Sequence, residues 1–211
     1  RLTNKDGLGA TAGGTIVQGN AALELANDIA VGAEALTISG TGIANGGALR
    51  NVSGDNSWAG AITIGSGGAR INSDASTALT LTGGIVTAAV QDVTFGGAGN
   101  TTVSTTAISG TGSLIKDGAG TLTLSAANTY TGDTTVSAGT LVLADSGSTM
   151  FVIGASGISN KITGNGTVSL GGAFNFDLTS AGTTLGNSWT IVDVGTLTET
   201  FETTFSATST L

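Results

Sequence analysis

The chain alternates apolar and polar residues in short runs of about three to five positions. Examples are "ALTI" from Ala35, "AITI" from Ala61, "ALTLTG" from Ala78, "GTLTLS" from Gly120 and "GTLVL" from Gly139. Successive side chains of a strand point to opposite sides, so each run has one apolar face and one face of Thr, Ser or charged residues. Gly, Asn, Asp and Ser separate the runs and supply turn conformations. The pattern predicts an almost all-β chain of many short strands.

The segment "GNAALELANDIA" from Gly19 is the best helical candidate, because Ala, Leu and Glu have good helix propensity. Its apolar positions, Leu23 and Leu25 followed by Ile29 and Val31, alternate as strand positions do. We therefore predict strands here and keep a helix as the alternative. The chain has no proline, which suits strands that are hydrogen-bonded on both edges, since proline cannot donate to a ladder.

Two stretches share one skeleton: "NSWAGAITIGSGGARI" at 56–71 and "NTYTGDTTVSAGTLVL" at 128–143. Their equivalent residues lie 72 positions apart (128 − 56). The pairs are Asn56 with Asn128, Trp58 with Tyr130, Gly60 with Gly132, Ile64 with Val136, Gly67 with Gly139, and Ile71 with Leu143. Upstream, "ISGTG" at 38–42 recurs at 108–112, and a weaker third echo begins at Ile162. We predict that the paired residues are the scaffold of successive stacked coils.

Self-similarity of this kind predicts a stacked fold in which each unit completes its core with its neighbours. The strand spacing also fits a sandwich, but short strands, few aromatic residues and small side chains favour a parallel β-helix. At roughly 20 to 25 residues per coil and about 4.8 Å per coil, the chain would form about nine coils and a rod about 45 Å long. Composition does not change abruptly along the sequence, which predicts one elongated domain over residues 1–211 with repeat units at about 38–71 and 108–143.

Composition excludes several classes of chemistry. The chain has no cysteine and no histidine, which removes disulfides, thiolate nucleophiles, the Ser-His-Asp triad and the commonest transition-metal ligand. The net charge is −8 and the six basic residues are scattered, so we predict no nucleic-acid partner. No run of about 18 apolar residues occurs, so we predict no direct membrane insertion by this segment. Because Arg1 is not an initiator methionine, we expect a processed or excised piece.

The fourteen acidic residues are the candidates for a polysaccharide-degrading enzyme, which needs two carboxyl groups within one groove. Asp117, Asp133 and Asp145 stand beside Gly, Thr or Ser and are expected to be solvated turn residues; Lys116-Asp117 is expected to be a surface turn. We therefore predict no catalytic residue. "GGAGNTTVS" from Gly96 resembles a calcium-binding nonapeptide, but Thr101 stands where the motif needs Asp, so we predict no metal and no cofactor.

The paired polar and aromatic residues of the repeat have two interpretations each. Asn56 and Asn128 either satisfy backbone groups at turns or contact a sugar. Trp58 and Tyr130 either pack against a neighbouring coil or stack on a sugar ring. The structural interpretation is favoured in both cases, because all four residues belong to the repeated skeleton.

The stretch "SGTGSLIKDGAGTLTLSAANTYTGDTTVSAGTLVL" at 109–143 resembles the autotransporter-associated β-strand repeat, also called the passenger-associated transport repeat. Residues 39–71 resemble a degenerate copy, and the tail from Leu185, about 185–211, resembles the terminal segment that often follows such repeats. The resemblance implies a right-handed, single-stranded parallel β-helix (β-solenoid) in the exported portion of a Gram-negative surface or secreted protein. In that family the repeat serves export and folding rather than catalysis.

The resulting hypothesis is a non-catalytic extracellular structural or adhesive domain. It would be a β-helical passenger stalk that supports export, surface display or assembly, held at the outer membrane through regions outside this chain. A carbohydrate-binding module and a polysaccharide-degrading β-helix enzyme are the alternatives. The expected partners are a surface glycan, a host or cell-surface molecule, and further copies joined end to end through open strand edges. The tail from Phe201, with Glu199 and Glu202 nearby, is the alternative cap for such an end.

Overall fold

A computed structural model describes residues 1–88 and 90–199 of the chain. Within these ranges the protein is almost entirely β, with one short 3₁₀ helix at Ile43–Asn45. The strands are β1 Thr15–Val17, β2 Leu23–Leu25, β3 Ala30–Val31, β4 Leu36–Gly40, β5 Leu49–Asn51, β6 Asp55–Trp58, β7 Ile62–Ser73, β8 Ala78–Leu81, β9 Ile85–Thr87, β10 Val93–Gly96, β11 Asn100–Val103, β12 Ile108–Gly110, β13 Leu114–Lys116, β14 Thr121–Leu124, β15 Thr134–Val136, β16 Thr140–Leu143, β17 Ser148–Val152, β18 Ile162–Leu170, β19 Ala173–Asp177 and β20 Val192–Glu199.

The strands wind into a three-sided solenoid, and each named strand pairs in parallel with the strand one coil before or after it. Face A contains β1, β4, the start of β7, β9, β12, β17 and β19. Face B contains β2, β5, the end of β7, β10, β13, β15 and the first halves of β18 and β20. Face C contains β3, β6, β8, β11, β14, β16 and the second halves of β18 and β20.

The predicted parallel β-helix is confirmed, but the predicted number of coils is too high. The solenoid has about seven turns rather than nine, which at about 4.8 Å per turn gives a length of about 34 Å. Coils vary in length: the step from Leu114 to Thr134 takes 20 residues (134 − 114), whereas that from Ile162 to Val192 takes 30 (192 − 162). The longer corners of the later coils and the residues before β1 take up chain length, which leaves too few residues for nine coils.

The segment from Gly19 forms β2 and β3, so the helical alternative is wrong. Leu23 and Leu25 pair in register with Leu49 and Asn51 of the next coil. Tertiary pairing thus overrides the local helix propensity of Ala, Leu and Glu, as it commonly does for short segments.

The core is a set of inward-facing files that run along the solenoid axis. On face A, one file contains Leu36, Ile62, Ile85 and Ile108, all in register and all essentially inaccessible to solvent. Each such side chain contributes about 1.5 to 3 kcal/mol of burial free energy. Because each strand is only a few residues long, stability depends on stacking the same position in coil after coil.

The last coils on face A carry an aromatic cluster. The Phe151 ring packs edge-on against Phe174 at a centroid distance of 5.3 Å and stacks on Phe176 at 5.8 Å. The predicted terminal segment contributes β20 up to Glu199. The tail from Phe201, with Glu202, lies outside the described residues, so its role as a cap stays a prediction.

Candidate functional site

The 72-residue repeat does not stack residue on residue. Its members fall on different faces: Asn56 (face C) with Asn128 (face A), Ile64 (face A) with Val136 (face B), and Ile71 (face B) with Leu143 (face C). The four aliphatic members are all buried. Equivalent residues therefore occupy equivalent positions within a strand or a corner. The second copy, however, begins one face further around the solenoid than the first.

The side chains of Asn56 and Asn128 lie inside the solenoid and bond to backbone groups. Asn56 Oδ1 accepts a hydrogen bond from the N–H of Ile29 at 2.7 Å, and Asn128 Oδ1 accepts one from the N–H of Ile108 at 2.9 Å. Both Nδ2 groups donate to a carbonyl of their own corner at 2.8 Å. Each amide thus joins two successive coils at a corner where the strand ladder is interrupted.

A third buried asparagine, Asn51, extends the network of Asn56, and sequence reasoning missed it. Asn51 donates from Nδ2 to the carbonyls of Gly54 at 3.1 Å and Ala78 at 2.8 Å, and its Oδ1 accepts from Asn56 Nδ2. The signal was present, because Asn51 is two positions after the inward-facing Leu49 of the same strand. An asparagine in inward phase next to a corner indicates an internal hydrogen-bonding position.

The two aromatic members of the repeat are also internal. Trp58 is fully buried, and Tyr130 is 2% exposed. The Tyr130 hydroxyl lies 2.7 Å from Thr134 Oγ1, and burial raises the pKa of this phenol. Neither ring is accessible, so neither stacks on a sugar in this structure.

The glycines of the repeat lie at corners with different constraints. An added Cβ at Gly60 or Gly132 would collide with a backbone carbonyl of the preceding coil. Gly67 and Gly139 both have positive φ, 83° and 68°. Space around Gly67 is open, whereas a Cβ at Gly139 would collide with the carbonyl of Gly118. Close approach of the backbone therefore requires glycine at Gly60 and Gly132, the backbone conformation favours it at Gly67, and both apply at Gly139.

Lys116 lies inside the solenoid, so the prediction that Lys116-Asp117 forms a surface turn is wrong for the lysine. Lys116 ends β13 in register with Phe95 of the preceding coil and Val136 of the following one. Only 2% of the surface of Lys116 is exposed to solvent. The strand alternation explains this position, because Lys116 is two residues after the buried Leu114.

Backbone carbonyls hold the Lys116 ammonium in this interior position. Nζ donates to the carbonyl of Gly118 and, at 3.5 Å, to that of Ala138 in the next coil. Burial lowers the pKa of Lys116 to about 8; the nearby Arg70 lowers it further, while Asp117 opposes the shift. The lysine therefore joins two corners at the expense of placing a partly desolvated amine in the core.

Ion pairs connect coils along the outside of the solenoid. Arg70 bonds to both carboxylate oxygens of Asp117, with Nη1 and Nη2 at 2.7 and 2.9 Å. Because Arg70 is in register with β10 and β10 with β13, this pair spans two coil steps. Arg50 donates to Asp74 at 2.7 Å and lies 3.7 Å from Glu24. The hydrogen bond that Arg50 donates to Asp74 raises the Arg50 pKa above its usual value, against desolvation.

Other carboxylates accept backbone hydrogen bonds from the next coil. The bonds are Asp28 Oδ1 with Asp55 N at 2.7 Å, Asp55 Oδ1 with Ala78 N at 3.1 Å, Asp92 Oδ1 with Ser113 N at 2.8 Å, and Asp133 Oδ1 with Lys161 N at 3.0 Å. Asp133 is exposed, as predicted for a turn residue, and it also accepts the backbone hydrogen bond from Lys161 of the next coil. Within 1–88 and 90–199, no three acidic residues come together in a way that could hold a metal ion.

A cavity of about 220 Å³ opens on the outside at the corner between faces A and B. Residues that line it include Thr41, Gly68, Arg70, Val90, Asp92 and Thr94. Val90 projects into solvent with 90% of its surface exposed. The cavity thus combines a guanidinium, a carboxylate, hydroxyl groups and an aliphatic side chain. Of the twelve paired residues of the 72-residue repeat, Gly67 is the one that lines it.

Comparison with known proteins gives one match. Residues 114–143 match the family model of the passenger-associated transport repeat. This repeat belongs to exported autotransporter passengers, is in general not catalytic, and implies export to the surface or secretion. No curated protein matches the chain, and no solved structure does. In the part of the chain that the structure describes, no helix has the length and hydrophobicity needed to cross a membrane.

Proposed function

Since residues 114–143 carry a passenger-associated transport repeat, we propose that this chain is a non-catalytic structural segment of an exported bacterial protein. It acts as a β-helical stalk that supports export, surface display or assembly. The observation that carries the proposal is the position of the repeat, which occupies β13 to β16 in the middle of a continuous solenoid. Solenoid strands therefore continue both before and after the repeat.

The uses of the polar residues support a structural role. Six carboxylates bond either to a backbone N–H of a neighbouring coil or to an arginine: Asp28, Asp55, Asp92, Asp133, Asp74 and Asp117. The repeated asparagines bond to corner backbone groups. A glycosidase or lyase would instead need carboxylates directed together at a substrate. These six carboxylates therefore stabilise the stacking of the coils.

A paired substitution in the parent protein tests the proposal. Val136 is fully buried and the adjacent Thr135 faces outward. Val136→Asp places a charge in the core, so we expect it to abolish display of the parent protein on intact cells, measured by surface labelling and by accessibility to added protease. Thr135→Asp adds the same charge outside and should leave display at the wild-type level. Display unaffected by Val136→Asp, or wild-type protein retained in the cytoplasm, would refute the stalk function.

Sugar binding is a second candidate, which the cavity at Arg70 favours over the repeated asparagines and aromatics. Its volume of about 220 Å³ is below the range of typical small-molecule sites, so the candidate ligand is a single sugar unit. The lining supplies Val90 for an apolar ring face, and Asp92 and Thr41 for hydroxyl groups. A glycan array with the wild-type chain and Asp92→Asn separates the possibilities. Hits that Asp92→Asn removes support the candidate, and an array without hits on folded protein contradicts it.

End-to-end assembly and binding to a host or cell-surface molecule are proposals of the same kind. Solenoid ends present strand edges, and β19 and β20 form the last coil among the described residues. Light scattering as a function of protein concentration tests assembly: a mass that increases with concentration supports it, and a constant monomer mass rules it out.

A further inference from the structure

The outside of face C is a regular two-file surface, which we call the face C array. Its members are the outward residues of five successive coils: Asn100 and Thr102 of β11, Thr121 and Thr123 of β14, Thr140 and Val142 of β16, Thr167 and Ser169 of β18, and Thr196 and Thr198 of β20. Thr102, Thr123, Val142, Ser169 and Thr198 are in direct register, one per coil. The array is thus an ordered lattice of side chains.

The array carries no charge. Outward residues of face B include Glu24, Arg50, Arg70 and Asp193, so charged groups are placed on a neighbouring face. On face C, an acidic outward residue occurs only at Asp55, two coils before the array, among the described outward positions of β6 to β20. The surface therefore favours a ligand without charge.

The hydroxyl groups of the array are available to a ligand. None of its seven threonine hydroxyls or the Ser169 hydroxyl is hydrogen-bonded to another described residue. Each threonine also presents a methyl group beside its hydroxyl. Every coil of the array contains at least one threonine, so a hydroxyl group that hydrogen-bonds and a methyl group that orders water around it occur together in each coil.

Strand geometry sets the two spacings of the array. Adjacent coils are about 4.8 Å apart, and alternate residues of one strand are about 6.7 Å apart. The register within face C continues without a shift from β11 to β20, since the irregularity between β18 and β20 lies between Gly164 and Thr167, before the array. A small soluble ligand would contact one repeat only, whereas a ligand periodic in two directions gains from all of them together.

These properties lead us to propose that the face C array binds the surface of ice. Both spacings are close to oxygen repeats of the hexagonal ice lattice, and the uncharged hydroxyl and methyl groups can hold water in that lattice. Ordering a water molecule costs entropy, and a rigid β scaffold with half-buried side chains lowers the further cost of ordering the protein side. A crystalline polysaccharide is less suitable, because the array contains no aromatic ring on which a sugar stacks.

The test uses the full 211-residue chain, fluorescently labelled, and measures its partition into a slowly growing ice shell. Thr123 is in the middle of the array, so Thr123→Tyr disrupts the lattice while keeping a residue that suits strands. Thr135 is outward on face B, and Thr135→Tyr is the matched control. Circular dichroism near the freezing point establishes that each variant is folded.

We expect wild type and Thr135→Tyr to enter the ice and to shape single ice crystals, and Thr123→Tyr to fall to the level of a protein that ice excludes. Exclusion of folded wild-type protein from ice overturns the proposal. Equal loss in both variants overturns it as well, since the effect would not be specific to face C. Retention on crystalline cellulose or chitin without entry into ice also overturns it and assigns the array to a polysaccharide. If Thr123→Tyr does not fold, Thr102→Tyr, one coil earlier, replaces it.

Discussion

Phe95 and Lys116 occupy the same inward position on adjacent coils and are paired in register. A lysine thus continues a file that contains Leu49, Ile71 and Phe95 in the coils before it. Its ammonium group is satisfied by carbonyls of Gly118 and Ala138 instead of a carboxylate. The arrangement makes the stability of the solenoid dependent on the protonation of one internal amine.

The first prediction concerns this pH dependence. The pKa of Lys116 is about 8 in the folded protein and 10.5 ordinarily, so between these values the unfolded chain binds more protons. The free energy of unfolding should therefore rise as pH increases from about 8 to 10.5, by up to about 3 kcal/mol. Lys116→Met should lack this rise. Urea unfolding of both proteins between neutral pH and pH 10.5 measures it.

Lys161→Met is the control for this experiment, because Lys161 is exposed and its substitution leaves the internal amine in place. It should keep the wild-type pH profile. A rise of equal size in Lys116→Met would mean that another group causes the dependence.

A second prediction concerns the internal asparagines. Asn128→Ala leaves the buried N–H of Ile108 without its acceptor, which should lower the free energy of unfolding by about 2 to 3 kcal/mol. Asn100 accepts a bond from Thr121 N at an exposed corner, so Asn100→Ala should cost less than about 1 kcal/mol. Urea unfolding compares the two, and equal losses would contradict the internal role of Asn128.

The equivalent glycines Gly67 and Gly139 provide a third test. Both have positive φ, so alanine introduces about 1 to 2 kcal/mol of backbone strain at either position. Only at Gly139 does the new methyl also collide with the Gly118 carbonyl and approach Lys116 Nζ. Gly139→Ala should therefore cost about 2 kcal/mol more than Gly67→Ala in thermal or urea unfolding. A smaller loss for Gly139→Ala would show that the corner relaxes.

The Arg70–Asp117 pair gives a fourth prediction. A double-mutant cycle with Arg70→Gln and Asp117→Asn should yield a coupling energy of about 1 kcal/mol that decreases at high salt. Lys5 and Asp6 are adjacent in sequence and form an exposed pair at 2.7 Å, so their cycle with Lys5→Gln and Asp6→Asn should yield almost no coupling. Similar values for both cycles would mean that the connection between coils adds nothing to the surface pair.

Much of the fold was predictable because the inside of each strand is specified by alternation alone. Runs such as that from Gly120 put Leu122 and Leu124 inward and Thr121 and Thr123 outward, and the structure confirms the parallel stacking of such strands. The number of coils was not predictable. It depends on corner length, and corners are formed by Gly, Asn and Ser in sequences that carry no fixed period.

The candidate site was only partly predictable. The charge of Lys116 predicts a surface position, but its spacing of two residues from the buried Leu114 indicates the interior, and the strand phase decides. The rotation of the repeat was also hidden. All three faces show the same alternation, so a sequence comparison of Asn56 with Asn128 does not reveal which face either one occupies.

The one-face rotation between the two copies has a consequence for how such rods diversify. A strand with its corner, and not a whole winding, is the smallest increment by which the chain can lengthen without disturbing its interior. Inserting one strand with its corner rotates every surface residue beyond it by one face around the solenoid axis. The length of the solenoid and the orientation of its distal surfaces therefore change together. One short duplication can present an unchanged surface to a different partner.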